Sequence, residues 1–241
     1  MKRKFSVFVA LILYLFFATS MVAMAMNTGF AVTAATEEET NTFLSNINMS
    51  LITTEPSKEA IECFDVNENN LIAIGRKCYL SKGQICIYSA SGEFLYGYEF
   101  SESGNFAVEW DGDCINIYSV RGDCVFSVDA NGQIVEYRKG LDTKGNTKYF
   151  RKLNSITNKV VDDTEYIFKK DLGFFNFLPL NNTQVIVKQA DGNETLIYDA
   201  NSKTLFSIIL TSVIITIFVS SVIVRLVIYY TKIKRKDTSN S

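Results

Sequence analysis

Five cysteines, Cys63, Cys78, Cys86, Cys114 and Cys124, are the most reactive side chains of this 241-residue chain, which has no histidine. Without histidine there is no Ser-His-Asp or Cys-His nucleophile and no His-ligated metal. No Cys-x-x-Cys pair occurs, so neither a redox dithiol nor a zinc ribbon is indicated. An odd number leaves at least one thiol unpaired, even where disulfides form. Cys63–Cys78 and Cys114–Cys124 are conceivable bridges. Cys86 and Cys114 sit inside apolar runs, which suits small buried thiols instead.

Carboxylates are the other route to chemistry. Asp111-Gly112-Asp113 and Asp191-Gly192-Asn193 have hairpin-tip composition, and Asp129 opens a similar turn. A converging pair of such carboxylates is what hydrolysis of a glycoside would need. Sequence spacing does not bring these together, and acid-rich tips serve turns. Asp65-Val66-Asn67-Glu68-Asn69-Asn70 begins like a calcium loop but has Asn70 where glycine is needed and Arg76 where the bidentate glutamate belongs. A turn before Leu71 is expected. Glu37-Glu38-Glu39 reads as solvated. Trp110, the lone tryptophan, is expected in the core, with a sugar-stacking face as the rival reading. Phe174-Phe175-Asn176-Phe177-Leu178-Pro179-Leu180 is expected to be a strand buried on both faces, the rival being a docking patch. Asn48, Asn181 and Asn193 fit the glycosylation tripeptide. No catalytic, cofactor-binding or metal residue is assigned from these patterns.

The ends place the chain in the cell. Lys2-Arg3-Lys4 precedes the apolar run Phe5–Ala18, the pattern of an export signal or a signal anchor, with small-residue cleavage positions at Ala23-Met24-Ala25 and Val32-Thr33-Ala34. Leu205–Val224 carries no charge, and about 20 apolar residues match the hydrocarbon thickness of a bilayer. Arg225 can snorkel, Tyr229 and Tyr230 suit an interface, and Lys232, Lys234, Arg235 and Lys236 read as cytoplasmic. Ser212, Thr216 and Ser220 could line a small-residue helix face. Eight of the 24 basic side chains, but only Asp237 of the 26 acidic ones, lie in these flanks, so the middle is acidic. That charge argues against nucleic acid.

The middle must be built from strands. Leu71–Ile74, Gln84–Tyr88 and Glu93–Tyr98 are β-branched and aromatic runs punctuated by Gly75, Gly83 and Gly92. Tyr88-Ser89-Ala90-Ser91-Gly92-Glu93 is matched by Tyr118-Ser119-Val120-Arg121-Gly122-Asp123, then by Val128–Val135 and by Ile197–Asn201. The unit is a hairpin whose turn tolerates positive φ. It resembles the outer hairpin of NHL-type and YVTN-type β-propeller repeats, best over residues 64–137. The whole chain resembles membrane-anchored extracytoplasmic proteins of Gram-positive bacteria. That likeness implies location and architecture and no activity.

The expected organisation is a signal peptide or signal anchor at residues 1–35, a polar linker at 36–60, an extracytoplasmic β-repeat domain at 61–203, a transmembrane helix at 205–230 and a basic cytoplasmic tail at 231–241. The β domain is expected to be all-β, a propeller-like array or antiparallel meander of about three to four hairpin repeats. So short an array leaves sheet edges open, which a protein partner or another copy of the chain would cover. The function expected is non-catalytic binding or assembly at the cell envelope, without cofactor or metal and with the lipid bilayer as one partner. An accessory subunit of an export complex and a carboxylate-dependent hydrolase are the alternatives.

Overall fold

The central apolar runs are apolar on both sides because both of their faces are buried. In β4 (Ile72–Cys78), Ile72 and Ile74 enter one core while Ala73 enters another. In β5 (Lys82–Tyr88), Cys86 and Tyr88 join the first and Ile85 and Ile87 the second. Successive strand residues point to opposite faces, so a sheet sandwiched between two others reads as unbroken hydrophobic sequence. The computed structural model describes residues 26–78 and 81–238, with side chains to residue 229.

Three antiparallel sheets result, none of them closed. The middle sheet is the meander β3 (Cys63–Val66), β4, β5 and β6 (Phe94–Ser101). The second is β7 (Phe106–Asp111), β8 (Cys114–Ser119), β9 (Cys124–Val128) and β10 (Ile134–Gly140). The third is β11 (Asn158–Val161), β12 (Thr164–Lys169), β13 (Gln184–Lys188) and β14 (Glu194–Asp199). Phe100, Phe106, Ile117 and Phe126 fill the core between the first two; Phe64, Tyr88, Tyr166 and Tyr198 fill the core between the first and third.

The last hairpin of every sheet turns in the same way. Ser89 N–H donates to Glu93 O (2.9 Å), Asp129 N–H to Gln133 O (3.0 Å) and Gln189 N–H to Asn193 O (3.0 Å). Gly92, Gly132 and Gly192 stand at the same point, with φ of 84°, 79° and 85°. An L side chain is strained there, which is why glycine recurs. The repeat is therefore real, but its register differs from the sequence match. Residues 118–123 form the β8–β9 turn, one strand earlier in the meander, and 197–201 run from β14 into a helix.

Residues 36–60, expected as a polar linker, are built into the fold. Helix α1 (Glu37–Ile47) starts with a complete capping box, in which Thr36 Oγ1 accepts from Glu39 N–H and the Glu39 carboxylate accepts from Thr36 N–H. Its Phe43 stacks on Tyr137 with ring centroids 4.2 Å apart. Before α1, β1 (Val32–Ala34) pairs with β10; after it, β2 (Ser50–Ile52) pairs with β6. The chain thus adds a three-residue strand to the outer side of two of its own sheets, and β1 and β2 become the outer edges there. Among the described residues, β14 has no strand on its outer side.

Helix α2 (Lys144–Asn154) lies between β10 and β11 in sequence. Its Tyr149, Phe150 and Leu153 cover the outer face of the second sheet together with Met26, Phe30 and Val32. Helix α3 runs from Asn201 to Thr238, beginning before the expected span and continuing through the basic tail. Its stretch Asn201–Tyr229 is long and apolar enough to cross a membrane, and none of its most apolar window is buried against the domain. Of the signal or anchor segment expected at residues 1–35, residues 1–25, with the cleavage position ending at Ala25, lie outside the described residues, whereas residues 26–34 pack on the second sheet and the other expected cleavage position, Val32–Ala34, is β1 itself.

Candidate functional site

The chemistry-bearing residues do not assemble into a reactive centre. All five cysteines are free, so neither conceivable bridge forms. The reason is placement: Cys63, Cys86 and Cys124 are buried, in strands facing the inter-sheet cores, and Cys78 and Cys114 are half-buried. Burial pushes the Cys86 thiol up to about 11 and the Cys124 thiol up to about 12, and raises Cys63 still more firmly. Such thiols are poor nucleophiles near neutral pH. Burial, then Asp129, Asp111 and Asp113, raises the Cys114 thiol too.

Three of the four tip carboxylates accept from backbone N–H groups. Asp111 Oδ2 accepts from Asn27 N–H at 2.7 Å. Asp129 Oδ1 accepts from Asn131 N–H and Gln133 N–H, and Asp191 Oδ1 from Asn193 N–H. Asp191 belongs to a different sheet from the other three. Among the described residues no group of three or more Cys, Asp or Glu side chains is arranged to hold a metal. The calcium-like stretch is the expected turn: Asn67 Oδ1 accepts from Asn69 N–H (3.0 Å) and Leu71 N–H (2.8 Å). Trp110 packs against the core between the first two sheets and is partly exposed.

Asp65, weighed in the sequence only as the start of a calcium-like stretch, forms the inner joint with residues that the sequence did not single out for it. Asp65 is buried on β3, where its Oδ2 accepts from Trp110 N–H of β7 at 2.8 Å and its Oδ1 pairs with Lys159 of β11. One carboxylate therefore ties the first strands of the three four-stranded meanders, β3, β7 and β11. Beside it, Glu109 accepts from the hydroxyls of Tyr118 and Tyr149, locking α2 to the second sheet.

Two surface features remain as candidates for contact with something outside. The first is a cleft of about 360 Å³ where the β8–β9 turn, the end of β10 and the start of α2 meet. Phe30, Val120, Leu141 and Phe150 give it an apolar lining, and Arg121 and Arg151 share it with Asp123 and Asp142, so the charges are balanced. Val120 and Leu141 are each about half exposed and lie together at this cleft.

The second is the junction with α3. Strand β14 passes into the helix with no linker: Ala200 N–H donates to Thr183 O, and Asp199 Oδ1 accepts from Asn201 N–H. Lys203 pairs with Glu59 and donates to Ser57 Oγ at 3.0 Å. The fully buried Arg76 holds the Ser57 carbonyl at 2.8 Å, and Tyr198 is bonded through its hydroxyl to both N–H and carbonyl of Glu59. The strap Ser57–Glu59 thus joins the domain core to the helix base.

Phe174–Leu180, expected as a buried strand, is a 3-10 turn, Gly173–Phe177, followed by extended chain. Phe174 is 84% exposed and Phe177 71%. The short β12–β13 connection that a strand would need is replaced by a loop, because Gly173 adopts φ 57° and Asn176 Oδ1 accepts from Leu172 N–H, closing a tight turn. Of the helix face proposed from spacing, Ser212 and Thr216 line a notch with Phe175 of the same chain. No protein-family model, curated protein or solved structure matches the chain.

Proposed function

We propose that the protein is a membrane-anchored, extracytoplasmic binding or assembly module of the cell envelope, with no catalytic step of its own. The observation that carries this reading is the linker-free junction of β14 with α3, a helix whose apolar stretch the domain leaves uncovered. A β domain held this tightly to a span presents its surface at a fixed height and angle above the membrane. That fixed presentation suits a docking module. The three four-stranded meanders with their recurrent glycine turn support a propeller-like repeat array as the scaffold. The basic flanks at both ends support an orientation with the β domain outside and the tail inside. The cleft between α2 and the β8–β9 turn is the contact surface in this reading.

The test is made in intact envelopes. A photo-crosslinking side chain at Val120 should give a discrete adduct that Leu141→Glu abolishes while the protein stays in the membrane fraction. A tag after Ser241 should resist protease added outside. Digestion of that tag overturns the orientation. Turnover on glycosidase or peptidase substrates that vanishes with Asp→Asn at Asp111, Asp113, Asp129 or Asp191 overturns the non-catalytic reading.

A further inference from the structure

We propose that the turn Gly173–Leu180 is a second membrane contact, a wedge whose Phe174 and Phe177 rings enter the outer acyl-chain region of the bilayer beside α3. The inference rests on α3 spanning that bilayer. From Gly173 to Leu180 the chain has no charge, and Lys169, Lys170 and Asp171 flank it. The three phenylalanines form a cluster of their own: Phe174 meets Phe175 and Phe177 edge-on at 5.6 and 5.7 Å. Such a cluster facing water forfeits the gain from burying large aromatic surfaces.

Position identifies what covers it. Phe175 shares its notch with Ile209, Ser212, Val213, Thr216 and Ile217 of α3. Lys203 is the last charged side chain before the span. At 1.5 Å per residue, Ile209 lies about 9 Å further along the helix. A turn seated beside Ile209 therefore sits below the level at which Lys203 leaves water, in the same medium as the helix surface. Several of its polar groups are met within the turn. Leu172 N–H bonds to Asn176 Oδ1, Phe175 N–H to Leu172 O and Leu178 N–H to Phe175 O, and the Lys170 ammonium holds Leu178 O. On the helix side, Ser212 Oγ donates to Ile208 O and Thr216 Oγ1 to Ser212 O, each at 2.8 Å. Irregular backbone near hydrocarbon is tolerated only when its polar groups are met in this way.

The test uses the full chain in phosphatidylcholine vesicles containing lipid brominated on the upper acyl chain. Three proteins are compared: the native chain with Trp110 alone, Phe174→Trp and Ile215→Trp. The native emission should be insensitive to brominated lipid, because Trp110 is in β7. The added tryptophan of Phe174→Trp should emit to the blue and lose most of its intensity to bromine while resisting aqueous iodide. Quenching by iodide overturns the wedge. Shielding from both quenchers means that protein covers the turn, which overturns the lipid assignment equally. Ile215→Trp, at mid-span and therefore read in vesicles whose lipid is brominated near the acyl-chain ends, separates the two levels: if it escapes that bromine, the membrane reading of α3 has failed, whereas its quenching with Phe174→Trp untouched by upper-chain bromine defeats only the wedge.

Discussion

Single side chains here act mainly by staying neutral or by fixing backbone, and pH exposes both habits. Cys86 and Cys124 ionise near 11 and 12 in the fold, against 9.0 ordinarily, and the Tyr198 phenol rises to about 12 from 10.0. Their raised values mean that the folded state holds these protons when the unfolded chain has lost them. The stability they contribute is complete below about pH 9 and is lost as pH climbs through 11 and 12. Thermal melting should therefore fall steeply in alkali, and Cys86→Ala with Cys124→Ala should flatten that fall. At neutral pH a maleimide should label Cys78 and Cys114 slowly and the other three only on unfolding. Rapid labelling of Cys86 in the native protein would contradict its burial. Glu39 behaves oppositely. Lys139, then the Thr36 N–H, hold its carboxyl at about 2, against 4.5 ordinarily. The capping it provides is present above pH 4.5 and disappears as pH falls through 2, so the Phe43–Tyr137 contact should loosen in that window, read by near-ultraviolet dichroism, while Glu39→Gln should shift the loosening away. The sequence showed the buried-thiol character of Cys86 through its apolar neighbours. It could not show Asp65, since nothing local marks an aspartate whose partners lie 45 and 94 residues away.

At the level of elements, hairpins were legible and edges were not. Glycine at positive φ and period-two apolar residues are local properties, so β4, β5 and β6 stand out in the sequence. The register of the repeat was misplaced because Gly122 mimics the recurrent glycine. Its turn, Ser119–Asp123, joins second and third strands, and Gly122 N–H is held by the Ser119 hydroxyl. The amphipathic strand-turn-helix of residues 26–52 was masked by polar composition, since a strand that covers an edge needs main-chain bonds more than side chains. The contacts of residues 26–34 give a prediction. Asn27 O accepts from Asn116, Thr28 bonds Tyr118, Asn146 clasps both N–H and O of Ala31, and Phe30 packs edge-on against Tyr118 at 4.6 Å. A Cβ on Gly29 would enter the Tyr149 ring. Removing this segment uncovers Tyr118 and Val125 and unpairs β10. A soluble piece beginning at Met26 should be more stable than one beginning at Thr36 by about 2–4 kcal/mol, the worth of Phe30 and Val32 burial. Urea titration of the two pieces measures it. If export removes a leader, amino-terminal sequencing should then find Met26. A terminus at Ala35 would show that the segment is dispensable.

Three stacked sheets need something to fix their inner ends, and in the whole molecule Asp65 supplies it. The apolar cores on either side are non-directional and would tolerate sliding, whereas a carboxylate bonded to β7 and paired with β11 specifies one arrangement. Asp65 is about 6% exposed at its side chain and Lys159 about 34%, so the pair is half wet and its two members are unequal. Asp65→Ala frees Lys159 to reach water but leaves the Trp110 N–H without an acceptor, a cost of about 1–3 kcal/mol. Lys159→Ala strands the buried carboxylate with one backbone donor, and the usual cost of about 3–5 kcal/mol for breaking a buried pair is reduced by the exposure of Lys159 to about 2. The double variant should cost less than the sum of the two, because Asp65→Ala removes the carboxylate that Lys159→Ala alone strands, while the Trp110 backbone N–H is left unmet in the single Asp65 variant and the double alike. The backbone N–H of the lone tryptophan is bonded to Asp65, so Trp110 fluorescence through a urea titration of the full chain in detergent reads the neighbourhood of the joint. Strict additivity would mean that the sheets are held by the apolar cores alone. Coupling of about 1 kcal/mol or more would establish Asp65 as the tie, and in that case the single variants should also broaden the Trp110 emission before the cooperative transition, as the second and third sheets shift against the first.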